Sequence, residues 1–313
     1  MADPNQSFLN SVFQWTIKNT DGTTNTEVKE IDNERKEWLA EALDNLNVNP
    51  VGRLKACIEK IKDSKSTDEE IVVSAEELCH WAEELDLAKD FFTVGGGEIL
   101  PILLDHISDQ IRIQGCLLIA GLVQNNDHCQ RIVVQSGLMQ KLLLILDQSE
   151  NDDVRTKALT AISAIIRGYT LGQLQFQKLN GFKIVIKALS APIPKLQLKI
   201  CFLINILCTS SQQMRKHFYE NGALDELIKL YATPTCPDPI RIIEAILSLV
   251  DAKNDVFESF RKKNNQLCDA FEQQLNKRLE IVQQSEDQSD ETASINQLLT
   301  FLQRHPETNN LEH

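Results

Sequence analysis

The chain has 313 residues, 42% hydrophobic and 25% charged, an ordinary composition for a globular protein with a sizeable core. Aromatic residues make up 6%, and 12 glycines and 9 prolines are too few for the many turns of a β-sandwich or barrel. The formal net charge of −13 argues against broad binding to nucleic acids or anionic membranes.

Other classes are disfavoured as well. No apolar run approaches the roughly 18 residues of a membrane-spanning helix, and residues 1–8 lack the features of a secretory signal. Eight cysteines are scattered without a CxxC pair, mostly inside apolar helical patterns, which predicts buried free thiols in a reducing cytoplasm. Residues 311–313 resemble the start of a histidine tag and are set aside.

The N-terminal third precedes any clear repeat. Residues 1–30 hold a short apolar patch, VFQWTIKNT at 12–20, followed by a polar stretch, and predict a flexible segment. Residues 31–94 are strongly charged with helical periodicity. We expect them to form an N-terminal helical cap and a degenerate first repeat, since the end of a stacked array needs a polar outer face.

Residues 95–255 contain an internal repeat. Four segments begin with a glycine and continue as an amphipathic apolar run, and these glycines are spaced 40, 44 and 41 residues apart. Each run is followed by a longer apolar helix, and a third short helix precedes each later glycine. The aligned glycines are Gly97, Gly137, Gly181 and Gly222.

A period of about 42 residues with three helices per unit is typical of armadillo repeats. The sequence therefore predicts an all-α, right-handed superhelical armadillo solenoid with N- and C-terminal capping helices. For the C-terminal cap, residues 256–310, we expect one long helix over 257–284, an acidic linker at 285–294 and a short helix at 295–304.

The sequence carries no persuasive catalytic motif. The triplet Gly95–Gly97 lacks the preceding strand and following lysine of a phosphate loop and is better explained as a helix corner. Cys79 and His80 have no second Cys/His pair at zinc spacing. We therefore expect no enzymatic activity, no cofactor and no metal, and interpret the chain as a binding protein.

The longest helix of each unit is expected to line the concave side of the solenoid. Basic and acidic residues of three such segments, 110–124, 153–167 and 194–209, sum to +5 within a chain of −13, which favours an acidic or mixed protein partner. The alternative is that each lysine is merely a solvated helix residue. The predicted stripe has three rows, Gln114, Lys157, Lys199 and Ile243, then Leu117, Thr160, Phe202 and Ile246, then Ala120, Ser163, Asn205 and Leu249.

Armadillo proteins that carry extended peptides present concave ladders of Trp and Asn. The corresponding positions here hold other residues, so the surface is predicted to suit a folded domain. They are Leu117, Thr160, Phe202 and Ile246 for the first ladder, and Gly121, Ala164, Ile206 and Val250 for the second.

Several stretches resemble one known family. DDVRTKALTAISAIIRG at 152–168, LQFQKLNGF at 174–182 and PKLQLKICFLIN at 194–205 strongly resemble the heat-shock-protein-70-binding protein family, cytosolic armadillo-type nucleotide exchange factors. The resemblance spans about 75–255. VFQWTIKNT also resembles the family's N-terminal Leu-Leu-x-Trp-Ser-Ile-x-Asn-Ser element, with Val12-Phe13 for Leu-Leu and Thr16 for Ser.

The resemblance implies a cytoplasmic, monomeric co-chaperone that binds the nucleotide-binding domain of the heat-shock protein 70 chaperone and promotes release of ADP and client. It implies that Lys199 is a basic contact and that Ala88 is a small residue where a large side chain would clash. The weaker candidates from the stripe are Gln114, Lys157, Phe202 and Asn205. The alternative function is an armadillo scaffold or transport adaptor without effect on nucleotide.

The family also implies a role for the N-terminal element. Its apolar residues are expected to occupy the chaperone's substrate-binding groove and prevent client rebinding. Docking of the same residues on the armadillo body is the alternative. This predicted release motif comprises Val12, Phe13, Trp15 and Ile17.

Overall fold

The structure is a computed structural model that describes residues 49–234, 236–250, 256–283 and 289–303. Every regular element in these ranges is helical. The predicted release motif and residues 31–48 of the predicted cap lie outside them. The α-helices are α1 Pro50–Lys62, α2 Asp68–Trp81, α3 Leu85–Thr93, α4 Ile99–Leu104, α5 Asp109–Val123, α6 Asp127–Gln135, α7 Leu138–Gln148, α8 Asp152–Ile166, α9 Thr170–Lys178, α10 Gly181–Leu189, α11 Pro194–Ser210, α12 Gln212–Glu220, α13 Ala223–Tyr231, α14 Pro239–Leu249, α15 Val256–Lys263, α16 Asn265–Val282 and α17 Ser289–Gln303.

The helices stack in rows. The long helices α2, α5, α8, α11 and α14 pack each on the next, and α1, α4, α7, α10 and α13 form a second row beside them. One repeat unit, a short helix followed by a second-row helix and a long helix (for example α3, α4 and α5), cannot bury its apolar faces alone. Each unit therefore covers its neighbour. A single core of buried apolar side chains runs through the stack, from Leu54 in α1 to Leu302 in α17.

The corners of the stack differ from the predicted alignment of glycines. In each unit, a residue with a left-handed backbone lies at the corner before the second helix. In chain order these residues are Gly95, Gly137, Asn180 and Gly222, with φ from 58 to 87°. The alignment thus matched Gly97 and Gly181 with the corner residues Gly137 and Gly222, whereas the corners of those two repeats lie at Gly95 and Asn180. Gly181 is instead the first residue of α10, where a Cβ atom would lie 2.3 Å from the ring of Phe176.

The C-terminal cap is also divided differently. A break at Asn264 separates α15 from α16, so the predicted single helix over 257–284 is wrong. Asn264 has φ −134° and ψ 46°, outside the helical region, and its side chain donates to Asp225 Oδ1 in α13 at 3.4 Å. Helix α17 begins at Ser289, so the second half of the predicted acidic linker is helical. There Glu291 is buried and accepts hydrogen bonds from Arg278 Nε and Nη2 at 2.8 and 3.2 Å.

Candidate partner-binding surface

We call the solvent-facing side of α5, α8, α11 and α14 the ladder surface. It carries the predicted stripe on its first three helices. Gln114 and Lys157 are half-buried, Lys199 and Phe202 are exposed, and Asn205 is half-buried and accepts a hydrogen bond from Thr209 Oγ1 at 3.3 Å. These five predicted residues thus lie on adjoining helices with solvent-accessible side chains.

The predicted register fails on the fourth helix. Ile243, Ile246 and Leu249 are fully buried in the core. The partly or fully exposed side chains of α14 are those of Pro239, Ile240, Arg241, Glu244, Leu247 and Ser248. The ladder surface therefore continues from Lys199 to Arg241, at the 42-residue spacing that also relates Lys157 to Lys199.

Ala88 does not belong to this surface. Its side chain is 1% exposed, and its backbone oxygen accepts a weak hydrogen bond from Cys129 Sγ at 3.6 Å. Ala88 lies in α3, where it packs into the core rather than facing solvent. A direct contact between this side chain and a partner is therefore excluded, and we remove Ala88 from the candidate site.

Several cations of the ladder surface lack acidic partners. Many lysines and arginines elsewhere pair with carboxylates, as Lys187 does with Asp147 at 2.7 Å. By contrast, within the described residues no carboxylate lies within ion-pair distance of Lys157, Arg167 or Lys199. Partial burial, together with the nearby Lys157 ammonium, lowers the pKa of Lys199. An incoming anion would offset both effects, because a nearby negative charge favours the charged form of the lysine.

A pocket of about 150 Å³ opens on the ladder surface between α5, α8 and α11. Its lining combines apolar side chains with two cations, two hydroxyl groups and one amide. It joins residues of the predicted stripe, among them Lys199 and Phe202, to two polar residues outside that stripe, Gln124 and Arg167. The full lining is Ala120, Gln124, Leu159, Thr160, Ser163, Ala164, Arg167, Lys199 and Phe202.

The ends of two long helices bring the missed residues to this pocket. Gln124 and Arg167 follow α5 and α8 directly, each with an extended backbone that ends its helix. Since both stand at the same point of successive repeats, 43 residues apart, the period itself was a signal that could have found them. The repeat period alone could not predict the pocket, because the pocket depends on how closely the three helices pack.

The cysteines do not form a reactive site. All eight are free, six of them buried. Burial raises the pKa of Cys79 and of Cys208 to about 12, so both thiols stay protonated near neutrality. Within the described ranges, no cluster of three or more His, Cys, Asp or Glu side chains is arranged to hold a metal ion. None of the described helices is long and apolar enough to cross a membrane.

Comparisons with known proteins identify two matching sequence families. A model described as the SIL1/FES1/HPBP1 C-terminal domain matches residues 87–305, and one described as nucleotide exchange factor Fes1 matches residues 9–91. The second match includes the predicted release motif.

Individual relatives agree with these families. The human protein named Hsp70-binding protein 1 is 28% identical over 280 residues, covering 85% of this chain and 77% of the relative. Nucleotide exchange factor SIL1 of Mus musculus is 26% identical over 152 residues, 48% of this chain and 33% of the relative. Hsp70 nucleotide exchange factor FES1 of Coccidioides immitis is 25% identical over 184 residues, 55% of this chain and 84% of the relative.

Solved structures confirm the predicted fold class. A designed armadillo repeat protein in complex with the peptide (KR)4 matches with a TM-score of 0.58 and 19% identity, covering 79% of this chain and 95% of that one. An engineered protein matches with a TM-score of 0.64 and 17% identity, covering 80% and 98%. The described chain is an all-helical, armadillo-like solenoid.

Proposed function

The chain belongs to the SIL1/FES1/HPBP1 family, and we infer from this membership that it is a nucleotide exchange factor, a co-chaperone whose partner is Hsp70. We propose further that the ladder surface is the concave face that grips the nucleotide-binding domain of Hsp70. The observation that carries this proposal is the row of cations without acidic partners, Lys157, Arg167 and Lys199, beside exposed Phe202. In an acidic chain, such a row favours a partner surface of opposite charge.

The mechanism follows from linkage. If ADP favours the closed form of the nucleotide-binding domain and the exchange factor favours the open form, each weakens the binding of the other by the same factor. A coupling free energy of about 1–3 kcal/mol would loosen the nucleotide roughly 5- to 150-fold. ATP then refills the site and the chaperone releases its client. The exchange factor needs no nucleotide site of its own, and we propose that it catalyses no reaction.

The test is the release of fluorescent ADP from Hsp70, followed by stopped flow after mixing with excess ATP. We expect release to accelerate and to saturate with rising exchange factor. Lys199→Glu should reduce the acceleration, because it puts a carboxylate where the partner's acidic surface is expected. Lys183→Glu, which makes the same charge change at an exposed residue of α10 outside the ladder surface, should leave it intact. Unchanged release at saturating protein would refute the proposal.

The N-terminal element is proposed to act separately from the ladder surface. Short apolar residues between polar ones suit a groove that accepts an extended peptide. A full-length Phe13→Ser/Trp15→Ser variant should therefore still accelerate ADP release but no longer displace a labelled client peptide from the substrate-binding domain. Normal displacement by this variant would favour docking on the armadillo body instead.

A cytoplasmic location is likewise proposed. It is consistent with eight free cysteines, since oxidising compartments favour disulfides. Imaging of the natural protein with a small internal tag, beside markers for the cytoplasm and the secretory pathway, tests this location. Signal confined to the secretory pathway would contradict it.

A further inference from the structure

We propose that the pocket between α5, α8 and α11 is an acceptor for one acidic side chain of the partner, of glutamate length, and that it determines which partner surface the ladder recognises. This inference rests on the proposed function, because it assumes that the ladder surface is the interface. It adds a defined receptor site, with Arg167 and Ser163 as specificity-determining residues beside Lys199.

The size of the pocket sets the kind of occupant. A volume of about 150 Å³ holds one side chain or a few waters, since a water occupies about 30 Å³ in the liquid. Pockets for cofactors and drug-sized ligands are about 300–1,000 Å³. The volume therefore matches a single side chain projecting from a folded partner better than a whole nucleotide.

The charge around the pocket selects an anion. Arg167 and Lys199 line it and, within the described residues, neither has a carboxylate partner. Lys157 lies close enough for its charge to lower the pKa of Lys199. Because partly desolvated cations repel one another, a carboxylate between them would gain from both. The planar guanidinium of Arg167 is also suited to bidentate recognition of a carboxylate.

The uncharged residues of the pocket lining favour a glutamate side chain as the occupant. The Ser163 hydroxyl and the Gln124 amide make no hydrogen bond within the described part of the chain and are free to donate to the occupant. Thr160 Oγ1 donates to the Thr156 backbone oxygen at 3.0 Å and keeps its acceptor capacity. Leu159, Ala120 and Ala164 form apolar walls. These walls fit the methylene groups of a glutamate, while the polar rim meets its carboxylate.

The experiment measures the dissociation constant of the full chain with the Hsp70 nucleotide-binding domain by titration calorimetry. Arg167→Ala and Lys199→Ala should each weaken binding by about tenfold or more, as expected for a charge partner in a desolvated contact. Lys183→Ala removes the same charge from an exposed residue of α10 outside the ladder surface, and should stay within about threefold of wild type.

A pocket-filling variant separates occupancy from general electrostatics. Ser163→Leu leaves the charge unchanged but fills the space, and should also weaken binding about tenfold. Gln140→Leu, at an exposed site in the first turn of α7 and outside the ladder surface, is the matched control for added apolar surface. Circular dichroism and urea unfolding should show that all variants remain folded.

The partner's contribution is identified by a double-mutant cycle. Surface glutamates of the nucleotide-binding domain are changed one at a time to glutamine and titrated against wild-type chain and Arg167→Ala. One glutamate should lose affinity with the wild-type chain and lose almost none with the variant, which marks direct coupling.

Two results would overturn the inference. Either wild-type affinity for Ser163→Leu, or equal losses for Lys183→Ala and Lys199→Ala, would show that only the general charge matters. If the pocket variants behave like wild type while the wild-type chain still accelerates ADP release, the inference fails and the proposed function stands. If the wild-type chain does not accelerate release, the proposed function itself fails.

Discussion

The conformation of single residues sets the angle between the first and second helix of each repeat. A left-handed residue lies at each corner, and in the third repeat this residue is Asn180 rather than a glycine. Asparagine tolerates this backbone conformation better than other residues with a Cβ atom. The glycine that follows it, Gly181, serves a different purpose, because it leaves room for Phe176 against the start of α10.

Replacing Gly181 by alanine tests this division of roles. The added Cβ would lie 2.3 Å from the Phe176 ring, so the ring must shift within a closely packed core. We expect the free energy of unfolding to fall by about 1–3 kcal/mol in urea denaturation. Gly97→Ala is the matched control, since its Cβ would be 3.4 Å from Phe92, and should change stability by less than about 0.5 kcal/mol. Equal effects would contradict the assignment.

Ala88→Arg gives a second test at this scale. Because the methyl group is buried, an arginine here must bring an unpaired charge into the core or distort α3. We expect a loss of about 3 kcal/mol or more in the free energy of unfolding. If the variant binds Hsp70 poorly, that loss reports unfolding rather than a contact. Wild-type stability with lost binding would return Ala88 to the interface.

We expect the charge of Lys199 to lower the stability of the free protein and to strengthen its binding to Hsp70. Its folded pKa lies below that of the unfolded chain, so the charged form is disfavoured by folding, and stability should rise as the pH increases through the folded pKa. Lys199→Met removes the desolvated charge and keeps the aliphatic stem. We expect it to be at least as stable as wild type at neutral pH, by urea denaturation, and to bind Hsp70 more weakly. A less stable Lys199→Met would show that the charge stabilises the free protein.

Adjoining helices are joined by two kinds of polar link, which differ in exposure. On the second-helix row, exposed ion pairs connect successive repeats, as between Asp105 and Lys141 at 2.5 Å. Inside the stack, buried amides satisfy the carbonyl oxygens left free at helix ends. The Gln130 side chain from α6 donates to the backbone oxygens of Ala164, Ile165 and Arg167 at 3.0, 3.4 and 3.2 Å.

The buried link should matter more than the exposed one. Gln130→Leu leaves several carbonyl oxygens at the end of α8 without this donor, and we expect unfolding free energy to fall by about 1–3 kcal/mol. Lys187→Ala breaks the exposed pair with Asp147 and should cost less than about 1 kcal/mol. Since Arg167 follows α8 and lines the pocket, Gln130→Leu should also weaken Hsp70 binding. Equal stability of the two variants by urea denaturation would contradict this ranking.

The long helices also show which features the sequence could predict. Their spacing predicted the armadillo stack and the exposure of Lys157, Lys199 and Phe202. The register failed on α14, because Ile242, Ile243 and Ile246 offer apolar residues at competing positions and only packing decides which face is buried. The prediction that Ala88 contacts the partner was wrong for a related reason, since a small residue fits either in a core or on a surface. The pocket required the distances between three helices, which no local pattern contains.

At the scale of the whole molecule, two electrostatic effects oppose each other. The net charge of −13 repels an acidic partner at long range, whereas the ladder cations attract it at contact. Salt screens the long-range repulsion and the contact attraction to different extents. The Debye length is about 30 Å at 0.01 M salt, about 10 Å at 0.1 M and about 3 Å at 1 M. Added salt therefore weakens the long-range repulsion first and the contact attraction only at higher concentration.

This difference predicts a maximum in the association rate with the Hsp70 nucleotide-binding domain as salt is varied. We expect the rate constant, measured by stopped flow, to rise between about 0.01 and 0.1 M salt and to fall towards 1 M. In Lys199→Glu the decrease of the rate constant at high salt should be smaller, because the contact attraction that salt screens is lost. Lys183→Glu should show the same decrease as wild type. A steady fall from the lowest salt would show that net repulsion is unimportant. A steady rise in the wild type would mean that the ladder cations do not face an acidic surface, and the proposed interface would have to lie elsewhere on the solenoid.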